Sequence, residues 1–162
     1  MSSLAEQKIK SLAQLPRVLA RHKKLGKKVV FTNGCFDILH VGHVRYLSEA
    51  KALGDVLVVG LNRDASVRKL KGAGRPVTPE RERAEVLAAL QSVDYVVFFS
   101  ESTPERLIRA LRPDFLVKGG DWKKSQIAGS AFVESYGGKV RSLQFIKGFS
   151  TTGLIAKIRK LG

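Results

Sequence analysis

The chain has 162 residues, 44% of them hydrophobic and 27% charged, which suits one domain with a genuine core and excludes a disordered tail or a coiled coil. Its 29 Lys and Arg against 14 Asp and Glu leave a net charge of +15, a balance that by itself suggests nucleic acid, a membrane surface or a phosphorylated small molecule as partner. No apolar run approaches the roughly 20 residues that span a bilayer, and the first ten residues lack a signal-peptide core. The single cysteine, Cys35, builds neither a disulfide framework nor a zinc site alone, so a reducing cytoplasm is the expected compartment.

In chain order, Ser3-Leu4-Ala5-Glu6 has the form of a capping box, in which each end satisfies the other's free amide. Leu4, Ile9, Leu12 and Leu15 continue it as a helical stripe up to Pro16, and a second short helix is expected over 17–25, stopping at Gly26. The first 26 residues thus read as a basic helical extension and 27–162 as the domain proper. Residues 28–32 form an apolar, β-branched run that ends at Asn33-Gly34, a buried strand followed by a sharp turn. A helix over 42–53, a strand over 55–60, a helical turn over 62–70 and a glycine-containing loop over 71–76 follow. Thr78-Pro79-Glu80 and Thr103-Pro104-Glu105 each predict a helix start with Thr as N-cap and Pro at the first helical position. Strands are expected over 94–99, 114–118 and 139–145, and a last helix from about Ser150-Thr151-Thr152. Continuous apolar strands alternating with amphipathic helices make this an α/β chain, with a Rossmann-like parallel sheet covered by helices on both faces. Ligands of such sheets bind beyond the carboxyl ends of the strands.

The charge is unevenly placed. Residues 1–30 carry a net +7 and residues 121–162 a net +6, whereas the ninety residues between them carry only +2. The run Arg21-His22-Lys23-Lys24 with Lys27-Lys28 has no aromatic beside it, unlike a nucleic-acid groove; it reads as a solvated helix face, with His22 exposed.

After the first strand comes Thr32-Asn33-Gly34-Cys35-Phe36-Asp37-Ile38-Leu39-His40-Val41-Gly42-His43. Histidines three apart lie on roughly one side of a helix's first turn, and Gly42 lets backbone amides approach a ligand closely. Free amides at a helix start favour phosphate, and two imidazoles add donors that follow charge developing on phosphoryl oxygens. The plainer alternative is a capped helix with a packed histidine.

Gly34, Phe36, Asp37, His40, Gly42 and His43 satisfy the pattern G-x-F-D-x-x-H-x-G-H, and here the chain resembles the nucleotidyltransferases of the cytidylyltransferase-like superfamily. Class I tRNA synthetases share a related H-x-G-H signature, but this chain is short for one and lacks their second, lysine-rich signature. Residues 59–67, Lys69 to Gly72, Arg75 to Val77, Arg83, Val117 to Trp122 and Ser150 to Thr152 resemble one branch in particular, the adenylyltransferases of D-glycero-β-D-manno-heptose 1-phosphate.

That resemblance implies transfer of AMP from ATP, accompanied by Mg²⁺, to a sugar 1-phosphate, giving ADP-heptose and pyrophosphate for the lipopolysaccharide core. It implies that His40 and His43 contact the triphosphate, with His43 nearest the α-phosphate, and that Lys69 and Lys71 close over the phosphates; a surface loop with ordinary lysines is the alternative. Arg83 would bind phosphate, as would Ser150, Thr151 and Thr152 at the final helix start. Thr32, Asn33, Gly34, Phe36 and Gly42 would belong to the nucleotide and phosphate site, together with Lys118 and Gly119. Asn33, Asp37, Asp121 and Trp122 are candidates for the sugar phosphate, although Asp37 suits bracing the loop better. Trp122 is either a wall for the sugar or core, and Cys35 reads as packing. No metal ligands of the protein's own are expected. The implied partners are ATP, a sugar 1-phosphate, a second copy in a homodimer and a separate heptose kinase, with neither membrane nor nucleic acid. The competing readings are a cytidylyltransferase of glycerol 3-phosphate and a non-catalytic RNA-binding module.

Overall fold

Five apolar runs become the strands β1 (Val29–Gly34), β2 (Val56–Asn62), β3 (Tyr95–Phe99), β4 (Phe115–Gly119) and β5 (Lys139–Leu143) in the computed structural model, which describes residues 3–162. All pair in parallel, in the order β3-β2-β1-β4-β5. Every residue of β2 is buried, because a parallel sheet is covered on both faces. The helices are α1 (Leu4–Lys8), α2 (Leu15–Lys24), α3 (Val41–Lys51), α4 (Asp64–Lys71), α5 (Glu80–Ala89), α6 (Glu105–Leu111), α7 (Ser130–Ser135) and α8 (Thr151–Arg159). No helix among the described residues is long and apolar enough to cross a membrane.

Strand side chains alternate between the two faces, and the core divides accordingly. Val29, Phe31 and Val58 pack with Leu15 and Leu19 of α2, Leu107 and Ile108 of α6, and Val133 of α7. Val30, Leu57 and Val59 point the other way, onto Leu47 and Ala50 of α3 and Ala84, Leu87 and Ala88 of α5. Each fully buried Leu or Val contributes about 1.5–3 kcal/mol relative to an exposed one.

The topology opens a crevice at one place. From β1 the chain steps outward to β2 and β3, then crosses back to β4 on the opposite side of β1. β1 pairs with β2 along its whole length, from Val29 to Gly34, but its pairing with β4 is confined to Val30 and Phe31. Beyond Phe31 the two strands part. This is the switch point at which doubly wound sheets bind their ligands.

Several local expectations change. The first 26 residues are not a separate extension, since Leu15 and Leu19 are fully buried in the core of the same domain. The helical stripe breaks at Ile9, which pairs in parallel with Val96 of the edge strand β3, while the Lys10 amide donates to the Val96 carbonyl at 2.9 Å. A sheet edge is thereby covered. His22 is not simply exposed, because its Nε2 lies 2.9 Å from the Tyr95 hydroxyl. Neither Thr78 nor Thr103 caps a helix: Pro79 and Pro104 occupy the N-cap positions of α5 and α6 without side-chain caps. The Thr78 amide is instead engaged by Asp37. α7 and a 3-10 turn at Lys124–Gln126 lie between β4 and β5, where the sequence predicts no element.

Candidate active site

A cavity of about 780 Å³ opens at the carboxyl ends of β1 and β4. Its floor comes from the β1 exit, through Asn33, Gly34, Cys35 and Phe36. Gly34 is required there, since a Cβ would lie 2.8 Å from the Phe36 ring, and Phe36 itself takes a left-handed backbone with φ of 43°. Such strained positions persist where the surrounding structure holds them, and they gather at functional sites.

His40 is the N-cap residue of α3 in an extended conformation, and His43 lies in the first turn. Their rings stack, with centroids 3.9 Å apart and planes at 24°. Gly42 makes this possible: a Cβ there would come within 2.9 Å of the His40 ring and 3.0 Å of the Phe149 Cβ. Both Nδ1 atoms are buried without a hydrogen-bond partner. Burial, with the neighbouring His40 adding to it, pushes His43 down to about 4, and burial also lowers His40. Both rings are therefore neutral at pH 7, and each keeps an N–H to donate.

Lys71, the last residue of α4, and Lys118 of β4 line the same cavity. Burial lowers the Lys118 pKa, and the Lys71 ammonium lowers it further against an opposing effect of Cys35. Neither lysine forms a salt bridge among the described residues. Across the cavity, Ser150 caps α8 by accepting the Gly153 amide at 2.9 Å, and the Thr151 hydroxyl donates to the Ile38 carbonyl at 3.2 Å. That bond holds the start of α8, with Thr152, against the loop that leads into α3.

The remaining candidates separate. Asp37, only 4% exposed, accepts the Val77 amide at 2.8 Å, the Thr78 amide at 2.9 Å and the Arg75 Nε at 2.5 Å. Burial alone would raise its carboxyl, but these donors outweigh burial and hold it below the usual carboxylate range. Its oxygens brace the loop. Thr32 is fully buried, does not line the cavity and shares a 2.6 Å hydrogen bond with the hydroxyl of Tyr46, which does. Lys69 and Asp121 lie outside the cavity wall, and so does Arg83, whose side chain is 0% exposed and hydrogen-bonded to protein groups throughout its length. Arg83 is not placed to meet a phosphate. Trp122 is not core: it is 45% exposed, lines the cavity and donates its indole N–H to the Gly119 carbonyl at 2.9 Å. Cys35 also lines the cavity, with burial raising its thiol pKa.

Sequence reasoning missed Phe145 and Phe149, which complete the wall beside Gly119 and Gly42. It also missed Ser102, Thr103 and Gln126. The signal for the two aromatics was present, since they stand in a short loop directly before Ser150-Thr151-Thr152.

Residues 31–152, which run from β1 to the start of α8, match the family model described as cytidylyltransferase-like. The chain belongs to this family. Among curated relatives it is 57% identical over 155 residues to the bifunctional protein HldE of Geotalea uraniireducens strain Rf4, covering 96% of this chain and 32% of that protein. It is likewise 57% identical over 154 residues to HldE of Geobacter metallireducens, covering 95% of this chain and 31% of the relative. The chain thus spans about a third of the length of these relatives. A solved structure of a lipopolysaccharide core biosynthesis protein from Thermoplasma volcanium GSS1 superposes with a TM-score of 0.62 at 29% identity, over 76% of this chain and all of that one. Pantothenate synthetase from Thermus thermophilus shares the fold, with a TM-score of 0.64 at 14% identity over 95% of this chain and 70% of that one.

Proposed function

We propose that the chain is an adenylyltransferase that joins ATP to D-glycero-β-D-manno-heptose 1-phosphate, releasing pyrophosphate and ADP-heptose. One observation carries the chemistry. Among the described residues, the only carboxylate lining the cavity is Asp37, and its oxygens are occupied by donors of the protein itself. The groups left for a ligand include two neutral imidazoles, two ammoniums and the amide ends of α3 and α8. A wall rich in donors, whose one carboxylate is already engaged, suits a reaction between two polyanions.

In that reaction an oxygen of the sugar phosphate, already anionic, attacks the α-phosphorus of ATP. A P–O bond forms there as the bond to pyrophosphate breaks, and pyrophosphate carries the electron pair away. No proton must be removed. The task is alignment and stabilisation of spreading charge. Mg²⁺ enters with ATP as part of the substrate. His40 and His43 donate N–H groups to the phosphoryl oxygens, Lys71 and Lys118 neutralise the phosphates, and Ser150, Thr151 and Thr152 hold the far end of the triphosphate.

The heptose is supported by the resemblance of residues 59–67, Lys69 to Gly72 and Val117 to Trp122, and by 57% identity to HldE along nearly the whole chain. A kinase would supply the sugar phosphate. Pyrophosphate release with Mg²⁺, either ATP or CTP, and a panel of sugar and polyol phosphates tests the reading. Turnover confined to ATP and heptose 1-phosphate is expected. Turnover with CTP and glycerol 3-phosphate, or salt-sensitive RNA binding with no turnover, would overturn it.

A further inference from the structure

Arg83 is the largest fully buried side chain among the described residues, and nothing in the proposed chemistry uses it. It rises from the first turn of α5. Its Nε donates to the Thr78 carbonyl at 2.9 Å, Nη1 to the Cys35 carbonyl at 2.5 Å, and Nη2 to the Asn62 carbonyl at 2.9 Å and to Asp64 Oδ1 at 2.7 Å. Four of the five guanidinium N–H donors are thereby engaged.

The acceptors explain why the charge is there. Cys35 follows β1 in the loop that leads to His40 and His43, Asn62 ends β2, and Asp64 opens α4, which ends in Lys71. Cys35 and Asn62 both line the cavity. A backbone carbonyl directed into a site for polyanions would repel phosphoryl oxygens. Arg83, which is outside the cavity, engages these two carbonyls and turns them away from such a ligand. Asp37 makes the reciprocal clasp from the same loop, accepting the Val77 and Thr78 amides just before α5.

We propose that Arg83 is a positioning residue: through the Cys35 and Asn62 carbonyls and Asp64 it sets the strand-end loop against α4, so that the histidine pair and Lys71 converge on the transferring phosphate. A buried ion pair is weak support for a fold, because apolar replacements are often at least as stable, so stability alone does not call for an arginine here. Lysine cannot substitute, because its three donors radiate from one atom and do not form a fork that spans four acceptors.

The inference rests on the adenylyl-transfer reading for its kinetic consequence only, and the test separates the two. The full chain carrying Arg83→Lys is compared with the parent by turnover, by Mg·ATP titration and by amide hydrogen exchange. Expected are a kcat lower by about 100-fold, as misplacement of reacting groups by about 1 Å produces, and a KM for ATP changed by less than about threefold. Exchange should quicken by about tenfold or more in residues 33–43 and 62–71 while β5 stays at the parent rate. A tenfold weaker Mg·ATP affinity with parent-like exchange would make Arg83 a phosphate ligand and overturn the proposal. So would faster exchange throughout the molecule, β5 included, which marks an ordinary stability residue. If Arg83→Lys does not fold, Asp64→Ala, which removes one of the four bonds, should give the same regional pattern at about three- to tenfold, and parent-like exchange there would refute it. Should the parent itself fail to turn over heptose 1-phosphate, the adenylyl-transfer reading falls while exchange and titration still decide Arg83.

Discussion

The two ends of the sheet both carry lysines, and they use them differently. At the amino end, Lys8 Nζ donates to the Leu90 and Val93 carbonyls, Lys23 Nζ to those of Leu111 and Arg112, and Lys51 pairs with Asp94. Lys28 completes the set with Asp114 at 3.4 Å. These cations satisfy helix carboxyl ends and the loops entering the strands, where a positive charge complements exposed carbonyls. At the carboxyl end, Lys71 and Lys118 face a cavity and lack carboxylate partners among the described residues. Net charge alone therefore says little about function; what each cation already touches says much more.

The contrast can be broken most severely at the histidine pair. His43→Ala should lower kcat/KM by about 10³-fold, the scale of losing a preorganised donor to a transition-state oxygen, while circular dichroism remains that of the parent. Near-parental rates would exclude His43 from the chemistry. Lys71→Ala and Lys118→Ala should each lose about 10²-fold in steady-state assays. Lys8→Met, at the other end, should leave the rate unchanged and cost about 1–2 kcal/mol in urea unfolding, since two carbonyls lose their donor. If Lys8→Met slowed turnover as Lys71→Ala does, the division between the two ends would fail.

Much of this division could be read in advance, and the reason is physical. The strands are continuous apolar runs, and the histidines with Gly42 are adjacent in sequence, so local pattern was enough to place them at a strand exit. The errors come from partners distant in the chain. Ile9 leaves its helix to pair with Val96, and Thr78 gives its amide to Asp37 instead of capping α5. Arg83 was expected to bind phosphate, because two of its acceptors, Cys35 and Asn62, lie 48 and 21 residues away. No window of sequence contains those contacts.

A smaller effect sharpens the electrostatics of the site. His43 titrates at about 4 in the folded chain and near 6.5 when unfolded, so between these values the unfolded chain binds a proton that the folded chain excludes. Stability should therefore fall as pH drops from about 7 towards 4, by about 1–2 kcal/mol after allowance for partial exposure. Urea midpoints against pH should show this slope in the parent and a flatter one in His43→Asn. The mildest change is Ser150→Ala, which removes the α8 cap and should cost about 1 kcal/mol, read as faster amide exchange at Gly153.

The central claim is that a phosphate oxygen of the acceptor attacks the α-phosphorus of ATP. Heptose 1-phosphate labelled with ¹⁸O in its non-bridging oxygens, followed by ³¹P NMR, tests it most directly. The label should appear in the bridge between the two phosphorus atoms of ADP-heptose, with unlabelled pyrophosphate released. Labelled pyrophosphate, or release of orthophosphate in its place, would contradict the account.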